Sequence, residues 1–330
     1  MRRDAASAAG LLAGLPFTVK DALAVAGVRC TAGSRLLRDN VARETAPIVA
    51  ALQGAGAVVV GKTNCAEFAL APLPGNELFG VTLNPADESL SVGGSSCGCA
   101  AAVASGLVPF SVGSDYGGSV RYPAQCAGIV GFRPALGSVD GGGQVPAPPP
   151  GSPRARFSVP GLLCRDLDTL EDLLRVLMPD ELQVQGMRTH RLDTGFLAAA
   201  DAAFSAIRSG DDVADLRALA RGRESLLTPA MRALVLGDRV PLAPVAPPAL
   251  PDAPVLLAPV TAGPTPLLRD SADTPEHVDA LFRLLAPCRA ITLYGLHAIS
   301  VPRGDGSSVQ VVTRRGNLGA ALRVARAVAA

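Results

Sequence analysis

This 330-residue sequence has no tryptophan, and its aromatic content is only 4%. Stacking platforms for nucleic-acid bases and aromatic cages for quaternary ammonium groups therefore have little to be built from. Charge is nearly balanced, with 30 Lys and Arg against 29 Asp and Glu, so no bulk positive field attracts nucleic acid or anionic membrane. Apolar residues make up 48%, which excludes a largely disordered chain and predicts a core of Ala, Leu and Val.

Long apolar runs are missing too. Gly, Pro, Ser or a charged residue interrupts each run before the roughly 20 residues that a membrane-spanning helix needs. The beginning of the chain has some features of a signal peptide, but Ser7, Gly10, Gly14 and Pro16 interrupt it, and it leads directly into a motif described below. We therefore expect a soluble, cytoplasmic protein without membrane contact.

Clustered metal ligands are also absent from the sequence. The three histidines His190, His277 and His297 are far apart, and Cys97-x-Cys99 is too closely spaced for a usual zinc knuckle. The seven cysteines are an odd number at low density, which is typical of reduced thiols in a cytosolic protein. The sequence thus predicts no metal site and no local histidine-dependent catalytic triad.

Helical and β-branched segments alternate along the chain, which predicts an α/β fold. Near the start we expect a strand over 15–19, a helix over 45–54 capped by Thr45, and a strand over 57–60. The later predictions are a loop over 138–153, helices over 168–177, 188–236 and 318–329, an extended connector over 239–254, and strands over 255–259, 299–301 and 309–312.

Three features of the sequence carry chemistry. Lys20 follows a buried strand, where lost solvation favours the neutral amine that can act as a base, although a solvated strand end is the simpler interpretation. Gly93–Gly98 places Ser95 and Ser96 at a helix start, which fits a helix cap equally well. A phosphate-binding loop is not favoured here, because the Gly-Lys-Ser/Thr ending is missing.

The third feature is the segment 113–121. Two glycines precede Ser119, so consecutive N–H groups can bind an oxyanion while the hydroxyl attacks a carbonyl carbon. Asp115 and Arg121 flank this turn and are expected to pair. Taken alone, the segment is equally a tight turn with no catalytic role.

Together, the three features resemble the amidase signature family. Ser95 follows Lys20 by 75 residues, and Ser119 follows Ser95 by 24. The resemblance continues in four further segments: 123–134, 159–166, 255–261 and 295–302. It implies a mixed central sheet with helices on both faces. It also implies one amidase domain over 1–330, with the core signature at 14–135, a variable and shortened middle at 180–254, and C-terminal strands and a helix at 255–330.

The resemblance implies a Ser–Ser–Lys triad. Ser119 would be the nucleophile, Ser95 the bridging serine in a cis peptide, and Lys20 the base. Backbone N–H groups of four residues would form the oxyanion hole: Tyr116, Gly117, Gly118 and Ser119. The supporting residues would be Ser96, Asp115 and Arg121. No metal or organic cofactor is expected.

The sequence departs from the family pattern in four places. Cys97 and Cys99 stand where small Gly and Ser are common, and His297 stands where Pro is expected. The chain also begins closer to Lys20 than family members do, which suggests an N-terminally shortened member, and its middle is shorter than usual. Because the middle usually shapes the substrate pocket, specificity is the inference that transfers least.

The predicted function is hydrolysis of a linear carboxylic amide to an acid and an amine or ammonia. One alternative is a glutamine-hydrolysing subunit of an amidotransferase, which passes ammonia to a partner. Another is a catalytically silent interaction subunit derived from an amidase. We expect a small-molecule amide as ligand, no nucleic acid and no membrane as partners, and leave a homodimer open.

Overall fold

The computed structural model describes residues 10–210, 213–238 and 240–329. Its strands are β1 Pro16–Lys20, β2 Val58–Thr63, β3 Gly75–Asn76, β4 Gly80–Val81, β5 Phe110–Asp115, β6 Val130–Arg133, β7 Val159–Cys164, β8 Thr189–Arg191, β9 Val255–Pro259, β10 His297–Pro302 and β11 Ser308–Thr313. Its α-helices are α1 Pro47–Gly54, α2 Cys97–Ala104, α3 Arg121–Cys126, α4 Pro153–Phe157, α5 Leu167–Leu177, α6 Thr194–Ser209, α7 Ala214–Ala220, α8 Pro229–Leu236, α9 Pro275–Leu284, α10 Ala286–Leu293 and α11 Leu318–Ala329.

Nine strands form one mixed sheet in the order β2-β1-β5-β7-β6-β10-β11-β9-β8, and β3 pairs with β4 apart from it. The strand β1 runs parallel to both of its neighbours, β2 and β5. The central strands from β5 to β9 pair antiparallel. In the register of β1 with β5, Val19 lies opposite Val112, so Lys20 ends its strand beside the last residues of β5.

Helices cover both faces of the sheet. Adjacent strand residues point to opposite faces, so Leu162 and Leu163 belong to two different buried clusters. The cluster of Leu162 includes the apolar sides of α1, α5 and α11. The cluster of Leu163 includes α2 and residues of α3. The expected α/β architecture, with a mixed sheet between helical layers, is thus confirmed.

Two local predictions were wrong. Thr45 does not cap α1, because its hydroxyl accepts a hydrogen bond from the Ala26 amide at 3.1 Å and the helix begins after Ala46. The stretch 188–236 is not helical throughout, since Thr189–Arg191 forms an edge strand parallel to β9. Pairing with a neighbouring strand overrides local propensity at this edge. Within the described part of the chain, no helix is both long and apolar enough to cross a membrane.

Candidate active site

The carboxyl ends of β1 and β5 place Lys20 in a fully buried position. Its Nζ lies 2.7 Å from Ser95 Oγ and 3.1 Å from Ser114 Oγ. Burial lowers the pKa of Lys20, and the nearby thiols and Asp115 oppose that shift only in part. The site therefore holds an amine whose neutral form is favoured and whose contacts are hydroxyl groups.

Ser95 is held by a loop that only glycine can form. The Gly94–Ser95 peptide bond is cis, and a Cβ on Gly94 would lie 2.0 Å from the Leu73 carbonyl oxygen. The Ser95 hydroxyl donates to the Ala69 carbonyl at 3.1 Å, so Ser95 Oγ lies between this carbonyl and Lys20 Nζ. The cis peptide expected at Ser95 is present.

The Ser95 loop is joined directly to the turn that carries Ser119. The Ser96 amide donates to the Ser119 carbonyl at 3.3 Å, and Ser96 Oγ donates to the Ser114 carbonyl at 3.4 Å. Ser119 itself is half-buried, whereas Ser95 and Ser96 are fully buried. Of these three serines, Ser119 is therefore the one that is partly accessible to solvent.

Asp115 and Arg121 pair as expected and fix the turn. Arg121 Nε and Nη2 donate to the two carboxylate oxygens of Asp115 at 3.0 and 2.8 Å, and both side chains are fully buried. Asp115 also accepts from the amides of Gly118 and Val120 at 2.9 and 3.1 Å. The two cationic neighbours, Arg121 and Arg133, hold the pKa of Asp115 well below its usual range despite burial.

One expected oxyanion donor is not available. The Gly118 N–H is directed at Asp115 Oδ1, so it cannot also bind a substrate oxygen in this arrangement. Among the described residues, the amides of Gly117 and Ser119 have no hydrogen-bond partner. Gly118 has a φ of +125°, and a Cβ there would lie 2.9 Å from Cβ of Cys288, so only glycine fits. Its role is to shape the turn.

The two cysteines beside Ser95 are fully buried. Cys97 accepts a hydrogen bond from Thr82 at 3.5 Å, and Cys99 lies 3.0 Å from the Thr63 hydroxyl. Burial raises the pKa of both thiols, that of Cys97 to about 11. A helix N-terminus lowers the pKa of a thiol, but at these two cysteines the loss of solvation is the larger effect.

His297 occupies a buried position on β10. Its Nδ1 accepts the Ala135 amide at 3.0 Å, so its Nε2 carries the proton and lies 3.4 Å from a carboxylate oxygen of Glu181. Burial lowers the pKa of His297 to about 4, although Glu181 opposes the shift. Within the described residues no group of three or more His, Cys, Asp or Glu side chains is arranged to hold a metal ion.

Acid should therefore destabilise the fold through His297. In the unfolded chain the His297 side chain takes up a proton near pH 6.5, whereas in the folded protein it does so only near pH 4. The neutral side chain therefore contributes its full stabilisation to the fold above pH 6.5, and this contribution is lost as pH falls toward 4. The effect should reach about 3 kcal/mol. We expect urea unfolding of a His297→Asn variant, which keeps an acceptor for Ala135, to lose less stability than wild type between pH 7 and pH 4. An equal loss of unfolding free energy between pH 7 and pH 4 in the two proteins would contradict this.

Two contacts of the site were not identified from the sequence. Ser114 touches Lys20 Nζ, and only the parallel pairing of β1 with β5 reveals that it is near. The Ala69 carbonyl that binds Ser95 has no sequence signal, because any residue carries this group. Both residues line a cavity of about 30 Å³, which has room for about two water molecules.

A mixed sheet with a buried Lys–Ser pair behind a Gly-Gly-Ser turn defines a class of α/β proteins, and comparisons with known proteins identify that class. The chain belongs to the Amidase family, whose model matches residues 1–191. Solved structures with this fold include one titled "Crystal structure of amidase", with 24% identity and a TM-score of 0.77 over 96% of this chain and 84% of that one. A chain from a vestigial protein complex linked to the origins of an s-triazine catabolic enzyme has 23% identity and a TM-score of 0.79, over 96% of this chain and 83% of that one.

Curated relatives share higher identity over shorter segments. A glutamyl-tRNA(Gln) amidotransferase subunit of Koribacter versatilis is 49% identical over 128 residues, which are 39% of this chain and 27% of that protein. The corresponding subunit of Deinococcus radiodurans is 52% identical over 128 residues, with the same two coverages. The chain thus matches only about a quarter of the length of these relatives.

Proposed function

We propose that this protein hydrolyses a carboxylic amide through an acyl-enzyme on Ser119, with Ser95 relaying protons to and from Lys20. The observation that carries the proposal is the 2.7 Å contact between Lys20 Nζ and Ser95 Oγ in a fully buried setting. A serine hydroxyl is a weak nucleophile until a base takes its proton. Burial supplies such a base, because it favours the neutral amine of Lys20.

The proton path can be written atom by atom. Ser119 Oγ attacks the carbonyl carbon, and its proton passes to Ser95 Oγ while the Ser95 proton passes to Lys20 Nζ. This requires the Ser95 hydroxyl to turn from the Ala69 carbonyl toward the amine. The C–N bond then breaks, and the same relay of Lys20 and Ser95 returns a proton to the leaving nitrogen. Water attacks the ester by the same route and releases the acid.

Two neighbouring groups complete the proposed machinery. The Gly117 and Ser119 amides would stabilise the oxyanion, since preorganised N–H donors in a site shielded from water act on developing charge. Ser114 Oγ would accept an N–H of Lys20, which leaves the amine lone pair to face Ser95. Asp115 and Arg121 would hold the turn in shape without contacting substrate.

Removing the relay hydroxyl tests this path. A Ser95→Ala variant should lower kcat by about 10²- to 10⁴-fold, the usual contribution of a positioned proton-transfer group. The loss should be smaller than in Ser119→Ala, because water sometimes replaces a missing hydroxyl in a proton chain. Steady-state kinetics on any amide that turns over would measure it. Ser105→Ala, which removes an exposed hydroxyl at the end of α2, is the matched control. An unchanged rate in Ser95→Ala would reduce Ser95 to a structural loop residue.

Glutamine is the amide that the relatives favour. The curated matches belong to amidotransferases, which supports the glutamine-hydrolysing interpretation over that of an amidase acting alone. In that role the chain would release ammonia for a partner protein to use. The family match ends at residue 191, before helices α6 to α8 of the variable middle. Because this middle usually shapes the substrate pocket, the amide has to be identified by direct measurement.

Ammonia release distinguishes the functions. We expect ammonia from glutamine, at a higher rate when a candidate partner protein is present. Turnover of simple amides without glutamine turnover would instead indicate an amidase that acts alone. Absence of turnover together with absence of labelling by a serine-directed probe would indicate the silent interaction subunit.

A further inference from the structure

The turn before Ser119 contains an N–H group that has to be held in place without a hydrogen bond. Among the described residues the Gly117 amide has no partner, which leaves it available to a substrate oxygen. Asp115 holds the neighbouring Gly118 amide at 2.9 Å, but no such contact holds Gly117. Glycine has the greatest backbone freedom of any residue, whereas an oxyanion donor acts through a fixed direction. Packing against the turn has to supply the rigidity.

Arg289 of α10 supplies this packing. A Cβ built on Gly117 would lie 3.3 Å from Cγ of Arg289 and 3.8 Å from its Cδ, so the methylene stem of the arginine lies against the glycine. The arginine is only 8% exposed. An arginine stem is hydrocarbon and packs as an apolar side chain does. The turn is therefore backed by the apolar part of a charged residue.

Asp201 of α6 holds this stem in place. Arg289 Nε and Nη2 donate to the two carboxylate oxygens of Asp201 at 2.7 and 2.8 Å. The two side chains are only 10% and 16% exposed. A long side chain with free torsions would be a soft support, and the forked contact at its far end removes that freedom.

The helix that carries Arg289 is also fixed to the turn at a second place. Arg121, whose guanidinium shapes the turn, donates to the Cys288 carbonyl of α10 at 2.9 Å. Cys288 packs against Gly118, where an added Cβ would lie 2.9 Å from the cysteine Cβ. Because α10 is anchored in this way, Arg289 extends a rigid backing as far as Gly117.

We propose that Arg289 is a positioning residue of the oxyanion hole: its stem, held by Asp201, keeps the Gly117 N–H directed at the oxygen of the reacting carbonyl. This inference rests on the proposed hydrolysis through Ser119. Arg289 acts on the turn alone, and its charge serves to bind Asp201. Both members of the pair lie beyond residue 191, outside the stretch that the family model matches, and they connect the variable middle to the turn.

Kinetics on any amide that turns over tests this role. Arg289→Ala should lower kcat by about 10- to 100-fold with little change in KM, because a displaced oxyanion donor affects the transition state more than the bound substrate. Arg289→Lys keeps the stem and a charge for Asp201, so it should keep most of kcat. Arg208→Ala, which removes an arginine stacked on Phe282 at 4.0 Å, is the matched control and should behave as wild type.

An unchanged kcat in folded Arg289→Ala would overturn the proposal, and so would a loss that Arg289→Lys shares in full. Thermal unfolding shows whether each variant is folded. If Arg289→Ala does not fold, Asp201→Asn is the milder change, since it keeps the size of the partner and weakens only the ion pair. This variant should lower kcat in the same direction by a smaller factor, and an unchanged kcat in it would then count against the proposal.

A second measurement needs no turnover. In protein made with isotope-labelled glycine, the amide resonance of Gly117 is identified by its absence from Gly117→Ala. The resonance should shift in Arg289→Ala and in Asp201→Asn but not in Arg208→Ala. Such shifts in a protein that neither hydrolyses amides nor reacts with a fluorophosphonate would support the positioning contact, and the proposed hydrolysis alone would fail. A resonance that stays in place in both variants would overturn the positioning role.

Discussion

Replacing Lys20 by arginine is expected to lower kcat/KM by about 10²- to 10⁴-fold, the contribution of a general base. Arginine keeps a positive charge and a similar length, but its guanidinium stays protonated and cannot accept the Ser95 proton. Asp115, whose charge acts on Lys20, is already paired with Arg121, so it offers the new cation little compensation. Lys20→Ala should be as inactive as Lys20→Arg, because both variants lack the base.

The chain contains a matched control for this substitution. Its only other lysine is Lys62, on the neighbouring strand β2, where Nζ lies 3.6 Å from Asp21. Lys62→Arg should retain activity, because no step of the proposed path uses that amine. The pH profile of wild type gives a second readout: kcat/KM should rise with pH up to a pKa below the usual lysine value, and this rise should disappear in Lys20→Ala. Near wild-type turnover in Lys20→Arg would exclude Lys20 as the base.

The parts of the site that could be predicted from sequence are those encoded in short continuous segments. Three local motifs each predict their own conformation: a lysine after a buried strand, two serines in a glycine loop, and a Gly-Gly-Ser turn. The pairing of Asp115 with Arg121 was also predictable, because only six residues separate them. The sequence did not show that Asp115 also accepts a hydrogen bond from the Gly118 amide. This contact removes the Gly118 amide from the set of oxyanion donors.

The parts that could not be predicted depend on contacts between distant segments. Arg154 meets Asp215 across 61 residues, and no pattern in either segment indicates this pairing. The raised pKa of Cys97 follows from burial, which depends on how α2 and the sheet pack. The place of Cys97 at a helix N-terminus would by itself lower the pKa of its thiol. Because burial depends on how the whole fold packs, a short motif such as the one around Cys97 does not predict it.

A fluorophosphonate probe is expected to label Ser119 and no cysteine. The reactive form of a cysteine is the thiolate, and burial raises the pKa of Cys97 to about 11 and also raises that of Cys99, so at neutral pH almost no thiolate forms at either position. Ser119 is the half-buried serine of the site. The amide of Gly117, two residues before it, has no hydrogen-bond partner among the described residues.

Ser119→Ala should abolish the labelling, whereas Cys97→Ala/Cys99→Ala should still be labelled. Since both thiols are fully buried, the double variant leaves small gaps, and Cys97→Ser/Cys99→Ser provides a closer match in size. Thermal unfolding of each variant distinguishes a loss of labelling from a loss of fold. Peptide mapping by mass spectrometry then locates the adduct. An adduct on either cysteine, or labelling that disappears only when the thiols of a folded variant are removed, would replace the serine nucleophile by a cysteine.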